Sequence, residues 1–149
     1  MGHTYTICLF HVVFSTKDRR PLLKTIRPDL FPYMAGIARE NGFHAKEIGA
    51  TEDHAHILLS LPANIPVSKA VQLIKGGSSK WLRGKFPELR DFEWQSGYGA
   101  FSVSVSQVPV ILKYIRNQAE HHKKISFQDE FRAILAKHGI EWDEKFIWD

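Results

Sequence analysis

Phe43-His44-Ala45-Lys46-Glu47-Ile48-Gly49-Ala50-Thr51 and His54-Ala55-His56-Ile57-Leu58-Leu59-Ser60-Leu61 read as two strands joined by the short polar link Glu52-Asp53. Side chains alternate along a strand. Ala55, Ile57, Leu59 and Leu61 therefore share one face and can be buried together, while His54 and His56 share the other. Working outward, Thr4 to Ser15 is rich in Thr, Tyr, Ile, Val and Phe and predicts another strand. Between the two, Asp29 is a plausible N-cap with Pro32 in the first turn. Leu30, Met34, Ile37 and Ala38 recur at helical spacing, and Asn41-Gly42 closes the helix. A second helix starts near Pro66, carries Val67, Ala70, Val71 and Ile74, and stops before Pro87. Phe92 to Val105 is strand-like, with Ser102 to Ser106 alternating at period two. A third helix follows with Ser106 as N-cap and Val108, Ile111, Leu112 and Ile115 on its apolar side. A fourth opens on the capping box Ser126-x-x-Asp129, carries Phe127, Phe131, Ile134 and Leu135, and ends at Gly139.

The order is β-α-β-β-α-β, then two helices. It predicts an α+β fold of the ferredoxin-like split βαβ kind, an antiparallel sheet with helices on one face followed by C-terminal helices. Phe10, Phe14, Trp81 and Phe101 are expected in the core. At 149 residues the chain reads as a single domain spanning 1–149. With 44% apolar and 24% charged residues it has the profile of an ordinary globular protein, which excludes collagen-like, disordered and repeat classes. The longest apolar run, Ile7 to Phe14, is interrupted by His11 and falls short of the ~18 residues of a membrane span. One cysteine, Cys8, excludes an intrachain disulfide and a multi-cysteine zinc site. No basic-then-apolar leader is visible, so a cytoplasmic setting with no membrane partner is expected.

Twenty Lys and Arg against sixteen Asp and Glu leave a net charge of +4. This mild bias matters only where the bases cluster. They do so in Lys17, Arg19, Arg20, Lys24 and Arg27, in Lys69 to Lys85, and in Lys113 to Lys124, whereas acids gather from Asp129 to Asp149. Many plain enzymes share such a bias; if the partner is a nucleic acid, Lys17, Arg19, Lys75, Lys80, Arg83 and Arg116 are the candidate phosphate contacts.

Two signals carry chemistry. His54-Ala55-His56 places two imidazoles on one strand face at roughly metal-chelating separation, with Asp53 able to orient one of them. A bare His-x-His also fits two surface histidines. Tyr114 and Gln118 are i and i+4, so they lie a turn apart on one helix face, with His121 and His122 continuing near it. An amphipathic tyrosine at a core boundary would look the same. Gly97-x-Gly99-x-x-Ser102 lacks the third glycine of a dinucleotide fingerprint and leads into strand-like sequence. Gly76-Gly77-Ser78-Ser79-Lys80 has the wrong spacing for a P-loop. It is either a weak point in a helix or a place of close approach to DNA, with Lys75 and Lys80 on phosphates. Met1-Gly2-x-x-x-Thr6 matches an acylation pattern too short to weigh. Tyr98 is the rival nucleophile but has no ligand at i+4, and reads as a stacking or structural residue.

Taken together, His11 to Lys17, Asp53-His54-Ala55-His56-Ile57-Leu58, Ile74-Lys75-Gly76 with Ser78 and Ser79, Gly97 to Ser104, and Tyr114 to His122 run in the order and spacing of a known family. The chain resembles the IS200/IS605-like single-domain transposases, the smallest HUH endonucleases, over nearly its whole length. The resemblance implies a metal-dependent single-strand DNA transposase that cleaves and rejoins DNA at hairpin-marked ends. His54, His56 and Gln118 would hold Mg²⁺ or Mn²⁺, and Tyr114 would form a 5′-phosphotyrosine link. It further implies imperfect single-stranded hairpins as DNA partners, a homodimer with shared active sites, and no nucleotide cofactor. Imidazoles alone would favour Zn, Cu, Fe or Ni over Mg, so the metal class comes from the resemblance. Two rivals remain: a host-adopted relative that processes repeated palindromes, and a non-catalytic nucleic-acid-binding module on the same fold.

Overall fold

The computed structural model describes residues 2–149. Strands β1 (Cys8–Ser15), β2 (His44–Ala50), β3 (His54–Leu61) and β4 (Gly99–Ser102) form one sheet. Helix α1 (Arg27–Glu40) joins β1 to β2, and α2 (Val67–Lys85) joins β3 to β4. Helices α3 (Val108–Arg116), α4 (Gln118–His121) and α5 (Phe127–Lys137) follow. The sheet order is β2-β3-β1-β4, every neighbouring pair antiparallel. The helices occupy both faces. Helices α1 and α2 cover Val12, Phe14, Ala55, Ile57 and Leu59 in the main core. On the opposite face Val13 and Phe101 pack with Phe127, Phe131 and Leu135 of α5.

Several boundaries differ from the sequence reading, each for a hydrogen-bonding reason. The first strand begins at Cys8 rather than Thr4, because its partner β3 ends at Leu61, opposite Cys8, where Pro62 follows. Of Phe92 to Val105 only Gly99–Ser102 is strand. Upstream, the Lys75 ammonium takes the carbonyls of Gln95, Ser96 and Gly97 at 2.6, 3.2 and 2.8 Å, so this backbone needs no ladder. Helix α1 starts at Arg27 with Pro28 in its first turn, leaving Pro32 inside the helix and Asp29 in the first turn rather than at the cap. Helix α3 starts at Val108, and Ser106 lies in a single 3₁₀ turn, Val105–Gln107, without capping it. The Ser126 cap holds as read: its hydroxyl accepts from the Asp129 N–H at 3.1 Å, and Gly139 beyond the helix has φ +67°. Gly77 lies where α2 crosses α1, and a Cβ there would stand 2.8 Å from Ile37, so this glycine serves helix packing. Phe14 and Phe101 are buried, while Phe10 and Trp81 pack at the margin of the main core.

Candidate active site

His54 and His56 stand on the β3 face away from α1 and α2, and both are buried. Their outer nitrogens are held by neighbours. His54 Nδ1 lies 2.6 Å from Asp53 Oδ1 and 2.8 Å from the Thr51 hydroxyl. His56 Nδ1 lies 2.8 Å from Nε2 of His11, a neighbour across the sheet on β1. This clamping orients both rings so that each Nε2 faces inward, where it donates to a carboxylate in the metal-free chain and would present its lone pair to a cation. The inward side converges on a residue the sequence reading did not single out, Glu130 of α5, which is 2% exposed. Its Oε1 is 3.0 Å from His56 Nε2, 2.8 Å from His122 Nε2 and 3.4 Å from His54 Nε2. Its Oε2 takes the Tyr114 hydroxyl and lies 3.2 Å from His121 Nε2.

The electrostatics follow from burial and from that carboxylate. Burial and then the neighbouring His56 lower the His11 pKa to about 3, and burial lowers that of His56 to about 4, so both rings are neutral near pH 7. Burial pushes His54 down too, but its hydrogen bonds to Asp53 and Glu130 outweigh it and leave the pKa raised. For Glu130 burial acts upward and is outweighed by hydrogen bonds from His122, His54 and His56, which hold the carboxyl well below its usual range. Tyr114 is raised by burial and by the Glu130 charge, with the Gln118 amide acting in the opposite sense.

Chain geometry brings Tyr114 here. Gly49 on β2 pairs with His56, and a Cβ at Gly49 would stand 2.1 Å from the Ile115 carbonyl oxygen. Only glycine lets α3 lie this close to the sheet, one residue from Tyr114. The helix then breaks at Asn117 (φ −96°, ψ 19°), so Tyr114 and Gln118 do not share one continuous helix face. Gln118 is buried. Its amide nitrogen donates to the Tyr114 carbonyl at 3.3 Å, and its Oε1 has no hydrogen-bond partner. A cleft of about 680 Å³ opens from Tyr114 between β4, α3 and α5, lined by His11, Phe101, Ile111 and Ile134 among others.

The site fits a divalent cation. Among the described residues, His54, His56, His122 and Glu130 each offer one donor atom, and these atoms lie within 4.8 Å of one another. Three imidazoles crowd one carboxylate oxygen, more than its two lone pairs can serve, and a cation would engage all four donors. The site's imidazoles suit Zn, Cu, Fe or Ni and its carboxylate suits Mg or Mn.

Five of the six expected DNA contacts already have intramolecular neighbours. Lys75 lies in a cleft of about 440 Å³ with Arg83 and Tyr98, and burial lowers its pKa to about 8. All three of its donors serve chain carbonyls. Arg83 donates to the Phe92 carbonyl at 3.1 Å. Lys17 pairs with Glu93 and Arg116 with Glu47, each at 3.0 Å, while the Arg19 guanidinium lies over Trp148. Lys80 is exposed on α2. The Gly76 side of that helix is open, with nothing within 4 Å of a Cβ built there. Tyr98 is 38% exposed beside the Lys75 ammonium and remote from the histidine cluster in its contacts.

Glu130 left a signal that was readable in retrospect. It falls with Phe127, Phe131 and Leu135 on the buried stripe of α5, where an acid is rare unless paired. In the sequence His122 merely continues near the Tyr114 face and His11 merely interrupts an apolar run, so neither carries a ligand pattern of its own.

A histidine pair facing a tyrosine of a following helix, on an α+β sheet, defines a class. The sequence model of the family described as "Transposase IS200 like" matches residues 4–118, and the chain belongs to that family. Its members are Y1 tyrosine transposases, enzymes that cleave DNA and transfer strands. The chain is 29% identical over 130 residues to the transposase for insertion sequence element IS200 of Salmonella typhimurium, covering 83% of this chain and 84% of the relative. It is 26% identical over 123 residues to the ISDra2 transposase TnpA of Deinococcus radiodurans, covering 78% and 87%. A Deinococcus radiodurans protein solved as a candidate transposase superposes with a TM-score of 0.65 at 25% identity, over 80% of this chain and 97% of that one. The fold is also that of a REP-associated tyrosine transposase bound to a REP hairpin, with a TM-score of 0.62 at 16% identity over 84% and 74%. Among the described residues no helix is long and apolar enough to cross a membrane.

Proposed function

We propose that the chain cleaves and rejoins single-stranded DNA through Tyr114, at ends marked by imperfect hairpins. The observation that carries this reading is the convergence of the Tyr114 hydroxyl, the His54–His56 pair, His121, His122 and Glu130 on one buried cleft. In the forward step the Tyr114 oxygen attacks the scissile phosphorus. The Oη–P bond forms, the P–O3′ bond breaks, and the departing strand leaves as a free 3′-OH while the DNA stays attached as a 5′-phosphotyrosine. The Glu130 carboxylate that accepts the Tyr114 hydrogen bond orients the phenol; the Tyr114 proton leaves to water in the open cleft, and water supplies one to the departing O3′. The reverse attack by another 3′-OH rejoins strands, and the phosphotyrosine conserves the bond energy, so no nucleotide cofactor is needed. When bound, a divalent ion, Mn²⁺ or Mg²⁺, polarises a non-bridging phosphate oxygen. His54 and His56 would hold it, with Gln118, whose Oε1 is buried without a partner, as the third donor that the family resemblance implies. His11, Asp53 and Thr51 keep the two imidazoles aimed.

Of the expected phosphate contacts, Lys80 is exposed on α2, while Lys17, Arg19, Arg83 and Arg116 would exchange intramolecular neighbours for phosphates, and Lys75 holds the Gln95–Gly97 backbone in shape. The working unit is a cytoplasmic homodimer that holds two ends. Tyr114 touches the Glu130 and His56 of its own chain, a cis arrangement; in the shared-site dimer that the resemblance implies, Tyr114 would meet the histidine pair of the partner subunit instead. A palindrome-processing role is the second reading, supported by the hairpin-bound structure on the same fold.

The test is a covalent adduct on denaturing gels with Mn²⁺ and a hairpin single strand from DNA flanking the gene. Tyr114→Phe loses the adduct and keeps DNA binding. Loss with Tyr98→Phe instead overturns the assignment. Mixed Tyr114→Phe and His56→Ala subunits, shown to exchange, stay inactive if sites assemble in cis and recover if they are shared.

A further inference from the structure

We infer that Glu130 couples the cation to the nucleophile: its Oε1, together with His122, joins His54 and His56 around the divalent ion, while its Oε2 positions the Tyr114 hydroxyl. This rests on the proposed reading of Tyr114 and of a divalent ion. It adds two residues that lie beyond the segment 4–118 matched by the family model.

The geometry carries the argument. The two oxygens of one carboxylate are used in different directions. Oε1 faces His56 at 3.0 Å, His122 at 2.8 Å and His54 at 3.4 Å, while Oε2 faces Tyr114 and His121. His54 Nε2 and His122 Nε2 are 3.0 Å apart, two ring nitrogens that only a shared proton or a cation can bring together favourably. Ligand atoms about 2.1 Å from one ion sit roughly 3–4 Å apart; four of the donor pairs lie at 2.8, 3.0, 3.0 and 3.4 Å, and all four atoms lie within 4.8 Å of one another. The carboxylate is set by a rigid element. Phe127, Phe131 and Leu135 fix α5 against Val13 and Phe101, Ser126 caps it, and Arg132 ties it to Glu144 through contacts of 2.6 and 2.9 Å. A side chain held this way fixes the separation of ion and phenol, which a flexible ligand could not do. The alternative is that Glu130 merely fills the place of a DNA phosphate and blocks the site.

The experiment measures Mn²⁺ binding to the DNA-free protein by calorimetry and by the loss of the free Mn²⁺ paramagnetic resonance signal. The variants are Glu130→Gln, His122→Gln, Gln118→Ala and Tyr114→Phe. Glu130→Gln and His122→Gln should each weaken Mn²⁺ binding at least tenfold and more than Gln118→Ala does, with Tyr114→Phe within threefold of the parent. In the adduct assay Glu130→Gln should remain slow at saturating Mn²⁺, because the phenol is no longer positioned. Should Glu130→Gln not fold, as judged by circular dichroism, His122→Gln carries the binding test. The proposal is overturned if these two variants bind Mn²⁺ within threefold of the parent, if Gln118→Ala weakens binding more than they do, or if Glu130→Gln accelerates adduct formation. An adduct that persists in Tyr114→Phe while Glu130→Gln loses Mn²⁺ would defeat the nucleophile reading alone.

Discussion

The two faces of the β1–β3 pair are built from the same two eight-residue strands, one residue out of step, and both are buried. Val12, Phe14, Ala55, Ile57 and Leu59 face α1 and α2, and are held by non-directional removal of apolar surface from water. His11, His54 and His56 face α3 and α5, where each imidazole must find a partner with defined geometry. A register slip of one residue in β3 would exchange the two faces. The apolar face therefore carries stability and tolerates small drift. The polar face depends on directional contacts and contributes chemistry.

The sharpest break in this comparison is a neighbouring pair of substitutions. His56→Ala should lower adduct formation by about 10²–10³-fold, the several kcal/mol of charge stabilisation that a metal site supplies. Ile57→Ala, one residue on, should cost about 2–5 kcal/mol of stability in denaturant melts and leave adduct formation per folded molecule unchanged. Equal loss of chemistry in both would show that the faces are not separable. Gly49→Ala tests the seat of α3. A Cβ 2.1 Å from the Ile115 carbonyl must displace the helix, and a shift of about 1 Å at Tyr114 is worth about 10²-fold in rate. Single-turnover adduct kinetics would record it, and unchanged kinetics would show that α3 is not positioned by this contact.

A smaller effect separates the faces by pH. His11 and His56 titrate at about 3 and about 4 in the fold, against about 6.5 when unfolded. Between pH 6.5 and 4 the unfolded chain binds more protons, so the metal-free protein loses stability as pH falls through that window. The raised His54 contributes fully below 6.5 and adds no slope there. Thermal melts at pH 7 and pH 5 should show a lower midpoint at pH 5, and His11→Gln should flatten the difference; a midpoint independent of pH would contradict neutral burial of these rings. Smallest is Ser126→Ala, expected to cost about 1 kcal/mol through loss of the α5 cap. Urea melts would measure it, and no change would mean that the hydrophobic contacts of α5 alone hold Glu130 in place.

Where periodicity and local hydrogen bonding decide structure, the sequence was sufficient. The alternation of β3 placed His54 and His56 on one face, Pro66 and Pro87 bracketed α2, and Ser126 marked the start of α5, because each of these is settled within a few residues of chain. The motif order pointed to the transposase family through spacing that survives in one dimension. Tertiary structure decided the rest. Lys75 replaced a strand by gathering three carbonyls, and the break at Asn117 separated Tyr114 from the helical frame of Gln118. Glu130 reached the histidines from 74 residues beyond His56. A buried charge and its partners form one energetic unit only when the chain has brought them together. No local pattern records that, and the only trace in the sequence is an acid standing on the apolar stripe of α5.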